Sequence, residues 1–523
     1  MALRLTDATP SPEPGSSSAT PTPALASADL LAVRADAALV TRDVPGYRAL
    51  FAEAASVEDP HRRYQARKRL IERGLTAGGS EITAMAPVFA AVALEALDVL
   101  DDDPREPLIL NYAGVAFYEL GELGAAEQLF RAARRLDPDL PHLDRNLEEI
   151  GRRRRAGLSS LHLPAPMRIV LGQLAPRAKK LAARARPAEG LRLSLCMIVK
   201  DEEAMLGRSL AAIAPWVDEI VVVDTGSSDR TVEIAESYGA RVLHHEWTGD
   251  FAAARNVSLE AATGDWILYL DADEVLVDGD GERLRALCGH TWREAYYLVE
   301  TNYVGDEEDN HATAFNALRL FRNRPEYRFE GRIHEQWAKN LPGFLPERLA
   351  VSDVRIEHYG YLGAVRDAKE KSRRNIELLR RQAEEGDDSP FLHFNIGSEL
   401  AAAGDHQGAV EELRTAWEAL ASQPGGFHRV GFSPSLGNRY VRSLRACRRF
   451  EEMADAAAEA LERFPGFTDV VFEQALAARE TGEVARAEAL LHRCLELGDA
   501  PTHYSGAVGA GSYLARLALA ELL

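Results

Sequence analysis

The sequence predicts an α/β sheet domain, mostly parallel and Rossmann-like, flanked on both sides by all-α helical repeats. Three observations carry this. Residues 193–275 alternate short apolar runs with helical patterns. A pattern of small and large residues suited to paired helices recurs before and after that stretch. Acidic and small polar residues gather at the ends of the apolar runs. The 523 residues leave room for about three domains.

Residues 1–28 are mostly Ala, Pro, Ser and Thr without an apolar core, so they read as a disordered tail rather than a signal peptide. Residues 29–160 read as a helical region. Within it, NYAGVAFYELGELGAAEQLFRAARRLDPD places Gly114, Gly121, Ala126, Phe130, Ala133 and Pro138 so that two antiparallel helices can approach closely, with Gly121 ending the first. This segment resembles a tetratricopeptide repeat.

A basic helical linker is expected over 161–190. From Gly151 to Arg192 there are eleven Lys/Arg against one acid, Glu189, in a chain of net charge -20. The stretch 151–192 is a solvated connecting helix or, as the alternative, a patch making weak contact with an anionic membrane surface or an acidic partner. The overall negative charge argues against a general nucleic-acid-binding role. Cys196, Cys288, Cys447 and Cys494 are scattered without a CxxC pair, which suits a reducing, cytoplasmic compartment. No run approaches 18 uncharged apolar residues, so no transmembrane helix is expected.

The α/β domain is expected over 191–365. LSLCMIV is a continuous apolar run, as a buried parallel strand should be. EIVVVD, RVLHHE and WILYLD are the next three strands. Ser228 or Asp229 is placed to cap the helix before Gly239, and Asp250 to cap FAAARNVSLEAA. The strand ends carry Lys200-Asp201-Glu202-Glu203, Asp224-Thr225-Gly226-Ser227-Ser228-Asp229 and Asp271-Ala272-Asp273-Glu274. Ligands bind at such ends. No GxGxxG follows the first strand, and there is no GxxxxGK[ST], which disfavours dinucleotide and P-loop folds. Two carboxylates spaced Asp-x-Asp after a buried strand suit a hard divalent cation.

Residues 366–523 repeat the helix-pair register. Gly397, Gly404, Ala409 and Ala416 mark one copy, Arg449 and Ala454 the next, Gly482 and Ala487 a third. Gly404 and Arg449 are 45 apart where Arg449 and Gly482 are 33 apart, so an insertion is expected around GGFHRVGFSPS. The repeats either bind a polypeptide or brace the sheet domain. AVGAGSYLARLALAELL reads as one unpaired helix, a terminal cap or the start of a further repeat.

LCMIVKDEE, DEIVVVDTGSSDRTVEIA, DFAAARNVSLEAATGDWILYLDADE, RLFRN, GRIHEQW and IEHYGY together resemble family 2 glycosyltransferases of the GT-A fold. The similar group is the bacterial subset fused to tetratricopeptide repeats, including the sublancin-type peptide S-glycosyltransferases. The resemblance spans about 193–362. It implies a divalent cation (Mg2+ or Mn2+), a nucleotide-diphosphate sugar donor of the UDP-sugar type, and inverting transfer to an acceptor such as a peptide or protein. It implies that Asp224 contacts the base or ribose, that Arg255 and Asn256 lie near the nucleotide or its diphosphate, and that Lys200 and Glu202 belong to the same donor side. It implies that Asp271 and Asp273 form the metal motif, Asp273 being the direct ligand, that His358 completes the metal or diphosphate site, and that Glu335 is the base. One departure is Asp201, where the family often has Asn.

Each residue also has a structural reading. Asp224 could cap its own turn, Arg255 form a surface ion pair, and Glu335 pair with an arginine such as Arg332. His334 and His358 could be packed side chains, and Trp247 and Trp337 core or rim. The acidic run Gly305-Asp306-Glu307-Glu308-Asp309 reads as a solvated loop. Two rival functions stand beside the enzyme: a nucleotidyltransferase, disfavoured by the acidic VKDEE, and a non-catalytic repeat scaffold with a degenerate domain.

Overall fold

The computed structural model describes residues 23–77, 82–157, 163–305, 311–337, 340–362, 365–423 and 425–522. Two compact units result: residues 23–189 with Gly289–Trp292, and residues 190–288 with 293–522. The expected border at 365/366 therefore does not separate two units. The sheet and the C-terminal helices share one.

The first unit is helical. Its first helix, Pro23–Val40, begins inside the stretch expected to be a disordered tail. Residues 1–22 lie outside the described residues. The repeat pair is Pro107–Glu119 and Leu123–Leu136. A Cβ on Gly114 would lie 2.5 Å from the Phe130 ring, so only glycine lets these helices meet. Gly121 takes φ 79°, turning the chain between them. The basic stretch supplies the helix Ala165–Arg184, which buries Leu171, Leu174, Ala178 and Leu181. Arg177 bonds Asp98 at 2.6 Å and Asp101 at 2.9 Å. Part of the positive charge is thus already matched within the unit.

Among its described residues, the second unit contains a sheet of nine strands: β1 Leu193–Val199, β2 Glu219–Asp224, β3 Arg241–His244, β4 Trp266–Tyr269, β5 Glu274–Leu276, β6 Ala295–Gly305, β7 His311–Arg322, β8 Leu349–Leu362 and β9 Gly506–Val508. The order is β3-β2-β1-β4-β7-β6-β8-β5, with β9 on β7. Strands β1 to β4 are parallel to one another, as the apolar runs of β1, β2 and β4 predict. Beyond them the sheet is mixed. β7 runs antiparallel to β4 and β6, and β8 is parallel to β6 but antiparallel to β5. Alternate β1 residues feed two cores. Leu193, Leu195 and Met197 pack with Leu206, Leu210 and Ile213. On the other side Cys196 packs with Leu259, Ile267, Phe321, Phe329 and Trp337.

The C-terminal helices pair as Pro390–Ala403 with His406–Ala421, Ser433–Ala446 with Phe450–Arg463, and Thr468–Glu480 with Val484–Leu497. The expected insertion is present as the short helix Gly426–Arg429 and its flanks. The last helix, Tyr513–Leu522, buries Ala515 and Ala518 against Val471 and Leu491. Between it and the preceding repeat, β9 returns to the sheet, a feature absent from the sequence reading. No described helix is long and apolar enough to cross a membrane.

Candidate active site

The loops after β1 and β2 are laced together. Asp201, in the left-handed region at φ 54°, accepts the Ser228 amide at 2.7 Å. The Glu202 amide donates to Thr231 Oγ1 at 2.7 Å, and the Glu203 amide to Asp229 at 3.0 Å. Lys200 is exposed at this rim. Asp224 ends β2 and is buried. It accepts the amides of Gly226 at 3.2 Å and Ser227 at 3.1 Å and lies 3.3 Å from His244 Nδ1. Burial alone would raise its carboxyl, but the Ser227, Gly226 and His244 bonds outweigh that and lower it. Asp224 thus fixes its own turn, and that turn marks the carboxyl end of the parallel strands.

Asp250 caps the helix Phe251–Ala261 through the Ala253 amide at 2.9 Å. That helix carries Arg255, which is buried rather than at the surface. Its Nη2 donates to Asp271 at 2.7 Å and its Nε to Glu335. Burial works against the Asp271 charge, yet Arg255 and then Arg319 hold the carboxyl well below its ordinary range. The next residue, Asn256, takes no part in this bridge. Its amide nitrogen donates to the Phe329 carbonyl at 3.0 Å, and its oxygen accepts the Phe329 amide at 2.9 Å. Both ends are engaged with backbone, so the Asn256 side chain, expected to lie near the nucleotide or its diphosphate, holds the Phe329 backbone.

The turn after β4 points its acids different ways. Asp271 meets Arg255, whereas Asp273 Oδ2 lies 3.3 Å from His358 Nε2. Glu274 is fully buried and takes Arg319 from β7, which also donates to Glu300 of β6 at 2.8 Å. Burial pushes the Glu274 carboxyl up to about 8 despite Arg319. His358 Nδ1 faces the Asn302 side-chain oxygen at 2.5 Å. Burial disfavours its charge, but Asp273 above all, with Glu274 and Glu300, raises it above an ordinary imidazole. Among the described residues, Glu274, Glu300 and His358 bring ligand atoms within 4.8 Å of one another. Arg319 already bridges the two glutamates, so this group is a matched ion cluster. Sequence reasoning missed Glu274, Glu300, Asn302 and Arg319, although Glu274 stands in LDADE and Arg319 opens RLFRN.

Glu335 does pair with an arginine, but with Arg255, not Arg332. Arg332 instead meets Glu385 at 2.7 Å. Trp337 is core, its ring 3.9 Å from that of Phe321, and Trp247 packs edge-on against Phe251. The acidic run at 306–309 lies outside the described residues.

Residues 194–337 match the model of Glycosyl transferase family 2. A TPR repeat-containing protein of Synechococcus elongatus is 34% identical over 49% of this chain and 63% of its own length. The SPbeta prophage-derived glycosyltransferase SunS of Bacillus subtilis is 27% identical over 42% of this chain and 51% of its own. The match thus spans between half and two thirds of these relatives. A solved glucosyl-3-phosphoglycerate synthase of Mycobacterium tuberculosis, with Mn2+ and UDP, is 25% identical over 21% of this chain and 44% of that one, at TM-score 0.19. The family 2 glycosyl transferase match thus lies in the sheet domain, and the paired helices follow it in sequence.

Proposed function

We propose that the chain is a metal-dependent, inverting glycosyltransferase that moves a sugar from a nucleotide-diphosphate sugar to a polypeptide acceptor. The observation that carries this is the bridge Asp271–Arg255–Glu335 beside the Asp273–His358 pair, all at the carboxyl side of β4. Asp273 and His358 offer an anionic oxygen and an imidazole nitrogen toward one point, a donor set that fits a divalent cation, with Asp271 at the same turn. When bound, the cation neutralises the departing diphosphate as a Lewis acid.

The chain's own side chains do the rest. Asp224 and the laced loops after β1 and β2 form the donor side, with Lys200 and Glu202 at its rim. Arg255 fixes the distance between the diphosphate side, at Asp271, and Glu335. Glu335 takes the proton of the acceptor as it attacks the anomeric carbon from the face opposite the diphosphate. The polypeptide acceptor is supported by the C-terminal repeats and by the resemblance of the sheet domain to the peptide S-glycosyltransferase group. UDP-sugars are the first donors to try.

The test is a panel of nucleotide sugars with Mn2+ or Mg2+, read by thermal stabilisation and by release of the nucleoside diphosphate. A true donor at 100-fold over its Kd stabilises by about 2.7 kcal/mol. Asp273→Asn should keep the fold and lose both signals. Near-normal turnover of Asp273→Asn would sink the metal assignment. A panel without any metal-dependent signal would favour the scaffold reading.

A further inference from the structure

The segment from Gly331 to Trp337 is anchored on two sides in turn. Arg332 pairs with Glu385 on the helix Val365–Glu384 and its end, and its carbonyl accepts the Phe251 amide at 2.8 Å. Ile333 is buried among Leu378, Leu379, Leu392 and Phe394, inside the core of the C-terminal helices. His334 Nε2 lies 3.4 Å from Glu399 on the repeat helix Pro390–Ala403. Direction then reverses. Glu335 reaches Arg255, Gln336 exchanges two backbone bonds with Glu330 at 2.8 and 2.9 Å, and Trp337 enters the aromatic core of the sheet domain.

His334 sits in the left-handed region at φ 51°, which a non-glycine residue keeps only where its surroundings over-determine it. On the repeat side Glu399 approaches its ring at 3.4 Å, without hydrogen-bond geometry. Glu399 is itself fixed, accepting Asn375 Nδ2 at 2.9 Å. Burial opposes its charge, but His334, Asn375 and Ser372 lower its carboxyl below the ordinary range.

We infer that Glu399, on the first repeat helix, is a positioning residue for Glu335: by holding His334 it sets where the Glu335 carboxylate meets Arg255. The repeats are then part of the catalytic apparatus and not only an acceptor-binding attachment. This rests on the reading of Glu335 as the base.

Glu399→Gln in the full chain tests it. Glutamine can still accept from Asn375 but removes the carboxylate that His334 approaches. The first readout is amide hydrogen exchange over 331–337, where the Gln336 amide should exchange faster while the exchange of β1 and β2 stays unchanged. The second is turnover of UDP-glucose with Mn2+, where kcat should fall roughly 10- to 100-fold with donor Kd nearly unchanged, because small misplacements of a catalytic group cost that much. Glu335→Gln alone and the Glu335→Gln/Glu399→Gln pair complete the cycle. The pair should be no slower than Glu335→Gln, since both act at one step. Multiplying losses, or unchanged exchange and kcat in Glu399→Gln, overturn the inference. If Glu335→Gln turns over normally, the base reading fails. If only Glu335→Gln is impaired, the positioning inference fails by itself.

Discussion

Arg255 is one buried guanidinium shared by two carboxylates, and its planar fork reaches both at once. A lysine is a point charge and cannot. Arg255→Lys should therefore lower donor turnover by tenfold or more, measured with the donor found in the panel. Arg255→Ala leaves Asp271 and Glu335 uncompensated, and should cost about 3–5 kcal/mol in denaturant unfolding. Asn256 behaves differently although it is next in sequence. Successive side chains on a helix point about 100° apart, so Arg255 can face the cleft while Asn256 faces Phe329. Asn256→Ala should cost about 1–3 kcal/mol of stability and leave donor affinity unchanged. An affinity loss with normal stability would contradict that. The motif AARN names both residues. Only the helical geometry separates their roles.

Elements with local signatures were legible. Gly397 was readable as a close-contact position, because a repeat of small and large residues needs one there. In the structure a Cβ on Gly397 would lie 2.7 Å from Leu413 Cγ. Gly397→Ala should thus destabilise by about 1–3 kcal/mol, seen as a lower Tm of the full chain. β1, β2 and β4 were legible for the same kind of reason, since burial on both faces leaves a continuous apolar run, whereas β3 is a half-exposed edge strand. The later strands were not. β6 and β8 mix apolar, aromatic and charged residues, because one stretch of β6 sends Glu300 and Asn302 to the ion cluster at Arg319 and His358. β9 is three residues long, too short for any period, and its partner lies far back in the sequence. The candidate site divides likewise. Acids at strand ends could be found, whereas Glu300 and Arg319 lie within strands and acquire meaning only from their neighbours in space.

At the scale of the whole molecule, β9 ties the repeats to the sheet. Its Ala507 amide donates at 2.6 Å to Asp469, a buried carboxylate on the helix Thr468–Glu480. Burial pushes Asp469 up to about 6 from 3.8. A raised carboxyl means that the folded chain prefers the protonated form. The contribution of Asp469 to stability is therefore fully present below the unfolded value and is lost as pH rises from about 4 to 6, by roughly 3 kcal/mol in all. Asp469→Asn keeps an acceptor for Ala507 without the charge. Its Tm should exceed that of the parent at pH 7 and match it near pH 4, and a pH-independent difference would refute the shift. The same connection explains why removing Phe391–Leu523, the natural test of acceptor recruitment from sequence alone, would not isolate that role: it also removes β9, Glu399 and much of the core around Ile333. It has a further consequence for how the chain is made. The β7 edge leaves the ribosome about 190 residues before β9 does. At roughly 5–20 residues per second, the β7 edge at Ala312–Ala314 waits on the order of ten to forty seconds for its partner. During that interval a nascent sheet presents unpaired backbone to any neighbouring chain, so its yield in the cell depends on how crowded the polysome is and on which chaperone reaches that edge first.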